Sequence, residues 1–89
     1  METPRRSRSL HVRGIDGETV ILDHETNQMH TLNVTASFVF HAIDGRKTVA
    51  EISRELAERF EVPLEVAERD ACAAIQRFAE LKLVDPGAP

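Results

Sequence analysis

Apolar and polar positions alternate from Leu10 onward, with Leu10 and Val12 interleaved with His11 and Arg13. This is the period-two pattern of a strand that buries one face. Asp16-Gly17 follows, two residues that tolerate positive φ and so suit a tight hairpin. Glu18 to Asp23 supplies Thr, Val and Ile, which favour strand. Polar residues from His24 to Asn27 predict the next turn, and Gln28 to Leu32 is short enough to be an edge strand. Leu10 to Leu32 therefore reads as a three-stranded antiparallel meander.

The period then changes to that of a helix. Asn33 is a good N-cap directly after the third strand, and Ala36, Val39, Phe40 and Ile43 fall on one helical face. Asp44-Gly45 is expected to end this first helix, with Gly45 as the left-handed C-cap. Thr48 and Glu51 have the spacing of a capping box, which satisfies two orphaned backbone donors at once. Val49, Ile52, Leu56 and Phe60 form the apolar stripe of a second helix. Pro63 suits the first position of a third, whose stripe is Ala71, Ala74, Ile75 and Phe78, and Leu83-Val84 closes the core. The order is β-β-β-α-α-α, and neither layer is large enough to be stable alone. The expected fold is α+β and winged-helix-like, a three-stranded antiparallel sheet followed by three helices.

At 89 residues the chain makes one domain. Residues 1–9 are expected to be a flexible basic arm, 10–85 the folded domain and 86–89 a flexible tail. Phe is the only aromatic, so the core must be mostly aliphatic. No stretch approaches the roughly 20 apolar residues needed to cross a bilayer, no apolar segment of a secretory signal follows the N-terminus, and the single Cys72 gives no internal disulfide. The cytoplasm is the expected location. The net charge of −4 is unevenly spread. Residues 1–13 hold four arginines against one glutamate, a balance of +3, whereas residues 14–89 hold seven basic against fourteen acidic residues, a balance of −7.

Three segments resemble the PqqD family: Leu32-Asn33 with Thr35-Ala36, then Asp44-Gly45-Arg46 with Thr48, Glu51 and Ile52, then Asp70, Ile75, Phe78 and Leu83-Val84. The likeness spans roughly residues 10–85, and the order and spacing of the segments are more specific than any one of them. It implies a RiPP recognition element, a non-catalytic module that holds the leader of a ribosomally made precursor peptide for a modifying enzyme such as a radical-SAM protein. In that family the leader adds to the third strand and lies between it and the third helix. Members from pyrroloquinoline quinone (coenzyme PQQ) biosynthesis carry a Pro-Glu-Gly-like turn after the second strand. Here that turn is Asp23-His24-Glu25-Thr26, which points to a stand-alone relative, some of which are associated with a kinase-like partner.

The resemblance makes Gln28, Met29, His30 and Thr31 the candidate peptide-binding residues on the strand. On the third helix the candidates are Ala67, Asp70, Ala74 and Arg77, at roughly helical spacing. An edge strand leaves N–H and C=O groups open to an added strand, and Met29 can deform around different apolar partners. Each has a structural alternative: Ala67 and Ala74 as sites of close helix packing, Asp70 as a partner of backbone or arginine, and either Met29 or His30 as the core-facing residue. Phe38 lies off the main stripe and either widens the core or forms an exposed docking patch.

Catalytic chemistry is not expected. His11, His24, His30 and His41 lack metal-ligand spacing, although His24 and His30 could meet across a turn. Cys72 sits in an alanine run, where partial burial is the expectation, and Glu51, Glu55 and Glu58 read as a solvated helix face. No cofactor and no metal are expected. A nucleic-acid-binding winged helix is the alternative function, weakened by the acidic body, since duplex binding relies on phosphate neutralisation. A protein–protein dimerisation module is the other; a monomer or weak homodimer is compatible with a free third strand.

Overall fold

A computed structural model describes residues 3–6 and 10–85. Three strands, β2 (Leu10–Ile15), β3 (Glu18–Asp23) and β4 (Gln28–Leu32), form an antiparallel sheet in the order β2-β3-β4. Three helices follow, α1 (Val34–Ala42), α2 (Val49–Phe60) and α3 (Leu64–Glu80). The fold is α+β and winged-helix-like, as the hydrophobic pattern predicts. Two further short strands, β1 (Arg5–Arg6) and β5 (Val84–Asp85), pair antiparallel as a separate ribbon.

That ribbon differs from the expectation of a flexible arm. Pro4 is fully buried, its carbonyl accepts from the Gly45 N–H at 3.1 Å, and Arg6 donates to the carbonyls of Phe40 and His41 at 3.3 and 3.2 Å. Arg6 also lies 4.7 Å from the centroid of the Phe40 ring. A prolyl ring and an arginine that serves the orphaned carbonyls of a helix end leave no periodic signature, so the arm's attachment is not visible in the sequence. The rest of the arm and the tail 86–89 lie outside the described residues.

In β3, Thr19, Ile21 and Asp23 are buried beneath the helices, while Val20 and Leu22 are half-buried on the opposite face. Asp16 (φ 51°) and Gly17 (φ 82°) make the hairpin turn between β2 and β3. Asp23 Oδ1 accepts from the N–H groups of Glu25 and Thr26, at 2.9 and 3.5 Å, and so organises the turn into β4.

The junction between β4 and α1 is held twice. Asn33 Oδ1 accepts from the Ala36 N–H at 2.8 Å, and the Ser37 hydroxyl donates to the Leu32 carbonyl at 3.1 Å. The end of α1 departs from expectation. Its C-cap is Ile43 in extended conformation, and Gly45, at φ 82°, lies two residues further on. Asp44 Oδ1 takes the turn amides of Arg46 and Lys47, both at 2.8 Å, so the side chain rather than the glycine closes the segment. The Thr48–Glu51 capping box is present in both directions. Pro63 is the N-cap of α3 rather than its first helical residue.

One core holds the layers together: Ile21 and Leu32 from the sheet, Val39, Phe40 and Ile43 from α1 and its cap, Ile52 and Leu56 from α2, and Ala71, Ile75 and Phe78 from α3. Phe40 and Phe78 meet edge to face with centroids 5.5 Å apart, a favoured aromatic geometry. Phe38 pairs in the same way with Phe60, at 5.7 Å, and extends the core margin rather than forming a separate patch. After α3, Lys82 (φ 60°) turns the chain, the Leu83 N–H bonds to the Phe78 carbonyl at 2.8 Å, and Leu83 and Val84 enter the core.

Candidate functional site

The order of the sheet makes β4 an edge strand whose one strand partner among the described residues is β3. Half of its backbone groups therefore point away from the sheet and are open to a further strand. Helix α3 packs on α1, α2 and β5 but does not close on β4. The gap leads to an open cleft of about 330 Å3 at the strand-to-helix junction, lined by Asn33, Thr35 and Ala36 on one side and by Asp70, Ala73 and Ala74 on the other.

Asp70 and Ala74 are thus brought together, as the helical spacing suggests. Asp70 is exposed and makes no hydrogen bond or ion pair among the described residues, which removes the reading of it as a structural partner. Arg77 is exposed, one turn beyond Ala73 and Ala74, and does not line the cleft. Ala67 is 0% exposed and part of the core, so it offers no surface to a ligand. Its place on α3 is that of a close helix contact.

The four strand candidates divide between two faces of the sheet. The register pairs Gln28 with Asp23, His30 with Ile21 and Leu32 with Thr19. Residues directly opposite share a face, so these three lie on the side of the helices. Met29 and Thr31, opposite Leu22 and Val20, lie on the other. Met29 is 69% exposed and borders a separate cleft of about 310 Å3 with His11, Val12, Arg13, Val20 and Leu22. His30 is half-buried, and its Nε2 is buried without a hydrogen-bond partner among the described residues. It is the core-facing residue of the Met29–His30 pair.

Asn33, Thr35, Ala36 and Ala73 were not among the sequence-derived candidates. Asn33 carried a capping signal, which it fulfils, and that role concealed the second. Ala73 lies three residues from Asp70 and four from Arg77, so helical spacing could have selected it in place of Ala67.

No group of three or more His, Cys, Asp or Glu side chains among the described residues could hold a metal ion. His24 meets His11 rather than His30, with Nε2 and Nδ1 3.0 Å apart. Cys72 is exposed on α3, not tucked into the core. Glu51 serves the capping box and Glu55 pairs with Lys47 at 2.9 Å, so two of the three glutamates on α2 have structural duties. Among the described residues no helix is long and apolar enough to cross a membrane.

Electrostatic perturbation is concentrated away from the cleft, around the end of α1. Burial, and secondly the charge of Arg6, holds His41 below the ordinary histidine value. His41 Nε2 lies 3.0 Å from Thr19 Oγ1. Burial also lowers Arg6, partly offset by Asp44, while the amides of Lys47 and Arg46 lower the Asp44 carboxyl.

A family model described as "Coenzyme PQQ synthesis protein D (PqqD)" matches residues 18–84. Three solved structures share the fold. "TbiB1 in Complex with the TbiA(beta) Leader Peptide" is 22% identical, with a TM-score of 0.85 over 96% of this chain and 99% of that one. "Lasso peptide synthetase B1 complexed with the leader peptide" is 25% identical, with a TM-score of 0.82 over 94% and 99%. The PqqD truncation of Methylobacterium extorquens PqqCD, described as a functional and stand-alone RiPP recognition element, is 24% identical, with a TM-score of 0.75 over 92% and 87%. No curated protein matches the chain in sequence.

Proposed function

Because the chain belongs to the PqqD family, we propose that it is a non-catalytic RiPP recognition element, which captures the leader of a precursor peptide and presents it to a modifying enzyme. The observation that carries this reading is the edge of β4, which no other strand among the described residues covers, beside the cleft between the α1 start and α3. An extended leader adds a fourth strand along Gln28–Leu32. Its backbone hydrogen bonds, each a net of about 0.5–1.5 kcal/mol, supply affinity with little regard to sequence.

Specificity then rests on side chains that face the added strand. Gln28 and His30 lie on its helix side, Ala73 and Ala74 leave room for apolar leader residues, and Asp70 favours a basic or hydrogen-bonding group. Arg77 meets the leader further along α3. Met29 and Thr31, on the opposite face, take alternate leader side chains. Two of the similar structures hold leader peptides, which supports this reading. The body's balance of −7 disfavours the nucleic-acid alternative. The enzyme partner and the cytoplasmic location form part of the same proposal, and the Asp23–Thr26 turn favours a stand-alone member over quinone-cofactor synthesis.

Isotope-labelled protein titrated with synthetic leaders of precursors encoded beside its gene tests the proposal. Amide shifts should concentrate on Gln28–Leu32 and on Asp70–Arg77. Saturable binding with shifts confined to other surfaces would overturn it.

A further inference from the structure

At the far end of α1 from the groove lies a larger cleft, of about 630 Å3, lined by Arg5, Arg6 and Arg46, by His41, and by the turn at Ile43–Gly45. Nine helical residues separate the two sites, a distance of about 13 Å along α1. Among the residues that line the cleft, three guanidinium groups stand against one carboxylate, that of Asp44, whose Oδ1 accepts two turn amides at 2.8 Å. Lys47, the next cation in sequence, is drawn off by Glu55 at 2.9 Å.

The arginines are not equivalent. Arg6 uses Nε and Nη2 on the carbonyls of Phe40 and His41 and lies against the Phe40 ring, so it is fixed in place. Arg5 and Arg46 are exposed, and neither forms a side-chain hydrogen bond or ion pair among the described residues. The Arg5 side chain crosses Gly45 closely, with Cγ 3.3 Å from where a Cβ would stand, so the missing side chain of Gly45 lets it lie along the cleft. The ribbon of β1 and β5 holds its backbone there, with Asp85 as its opposite residue. The result is a concave cationic site, anchored by Arg6, on a chain whose residues 14–89 carry a balance of −7.

Guanidinium groups recognise carboxylates by paired N–H donors. A long polyanion such as nucleic acid would extend beyond the cleft onto a body whose residues 14–89 carry a balance of −7, whereas a short acidic segment would not. We propose that this cleft docks a short acidic segment of a partner protein. Two or three carboxylates pair with Arg5, Arg46 and the unused N–H groups of Arg6, and the β4 groove stays open. The proposal does not depend on what the groove binds.

The test is an amide-shift titration of the full chain with N-acetylated, C-amidated tetraglutamate, beside inorganic phosphate and a single-stranded oligothymidylate. Tetraglutamate should give saturable, salt-sensitive shifts at Arg5, Arg6, Gly45 and Arg46. Affinity should fall roughly tenfold in Arg5→Gln/Arg46→Gln, as expected for the loss of two exposed ion pairs. Arg46→Gln alone, in an exposed turn, should weaken binding about threefold by the same reasoning and covers the case in which the double variant disturbs the ribbon. Shifts scattered over the surface, no saturation, equal binding of phosphate, or tighter binding of the oligonucleotide would each overturn the proposal.

Discussion

Gly45 combines φ of 82° with close contact to Arg5, and both conditions oppose a side chain. Gly45→Ala is expected to lower stability by about 1–2 kcal/mol, the cost of a left-handed L-residue, read as a shift in urea midpoint. His41 supplies a pH prediction. Its native pKa is depressed, by burial first and by Arg6 second, so the unfolded chain binds the proton more readily. Its contribution is therefore fully favourable above the ordinary histidine value of about 6.5 and declines as pH falls from there through the native pKa. His41→Gln should flatten the fall in stability that begins below about pH 7, measured by urea unfolding at stepped pH. The left-handed conformation of Gly45 is legible in sequence, but its contact with Arg5 is not, and neither is the approach of Arg6 to His41, because both arginines lie some 35–40 positions earlier.

At the scale of elements, periodicity identified every strand of the main sheet and all three helices, and the Thr48–Glu51 box was evident from its spacing alone. It could not say which alanines of α3 face a neighbour and which face a cleft, since alanine satisfies both. The structure separates Ala67, fully buried, from Ala74, which borders the cleft. Two substitutions exploit the difference. Ala67→Leu overpacks the core and should cost about 1–3 kcal/mol, visible as a lower melting temperature. Ala74→Leu should change stability by less than about 0.5 kcal/mol, as a substitution at a partly open site, yet weaken leader binding at least tenfold in calorimetry. Equal loss of stability in both would mean that the cleft is closed in solution. Strand β4 had the opposite ambiguity: its limits were legible but its facing was not, because Gln28–Thr31 offers no run of alternating apolar residues. The buried partners on β3 decide it.

For the whole molecule, the described part of the apparent arm, Thr3–Arg6, belongs to the fold. A small domain has a total stability of about 5–10 kcal/mol, and Thr3–Arg6 adds a buried proline, a backbone bond to Gly45 and two bonds to the end of α1. A chain that starts at residue 7 should lose about 2–4 kcal/mol, the sum expected for one buried apolar side chain and a few hydrogen bonds. Thermal unfolding followed by circular dichroism would register this as a marked fall in midpoint. An unchanged midpoint would show that the ribbon does not persist in solution. The same truncation removes Arg5 and Arg6 and so abolishes the cationic cleft, which ties one end of the protein's surface chemistry to its stability.

The vacant edge of β4 has a further consequence. An antiparallel strand is complementary to itself, so two copies of this chain can meet edge to edge about a two-fold axis. Such a pair would occupy on each copy the hydrogen-bonding row that a leader needs. Dimer and peptide would then be competing ligands for one surface, and the apparent affinity for peptide would decline as the protein becomes more concentrated. The dissociation constant that describes the groove itself is the one reached in the limit of dilution.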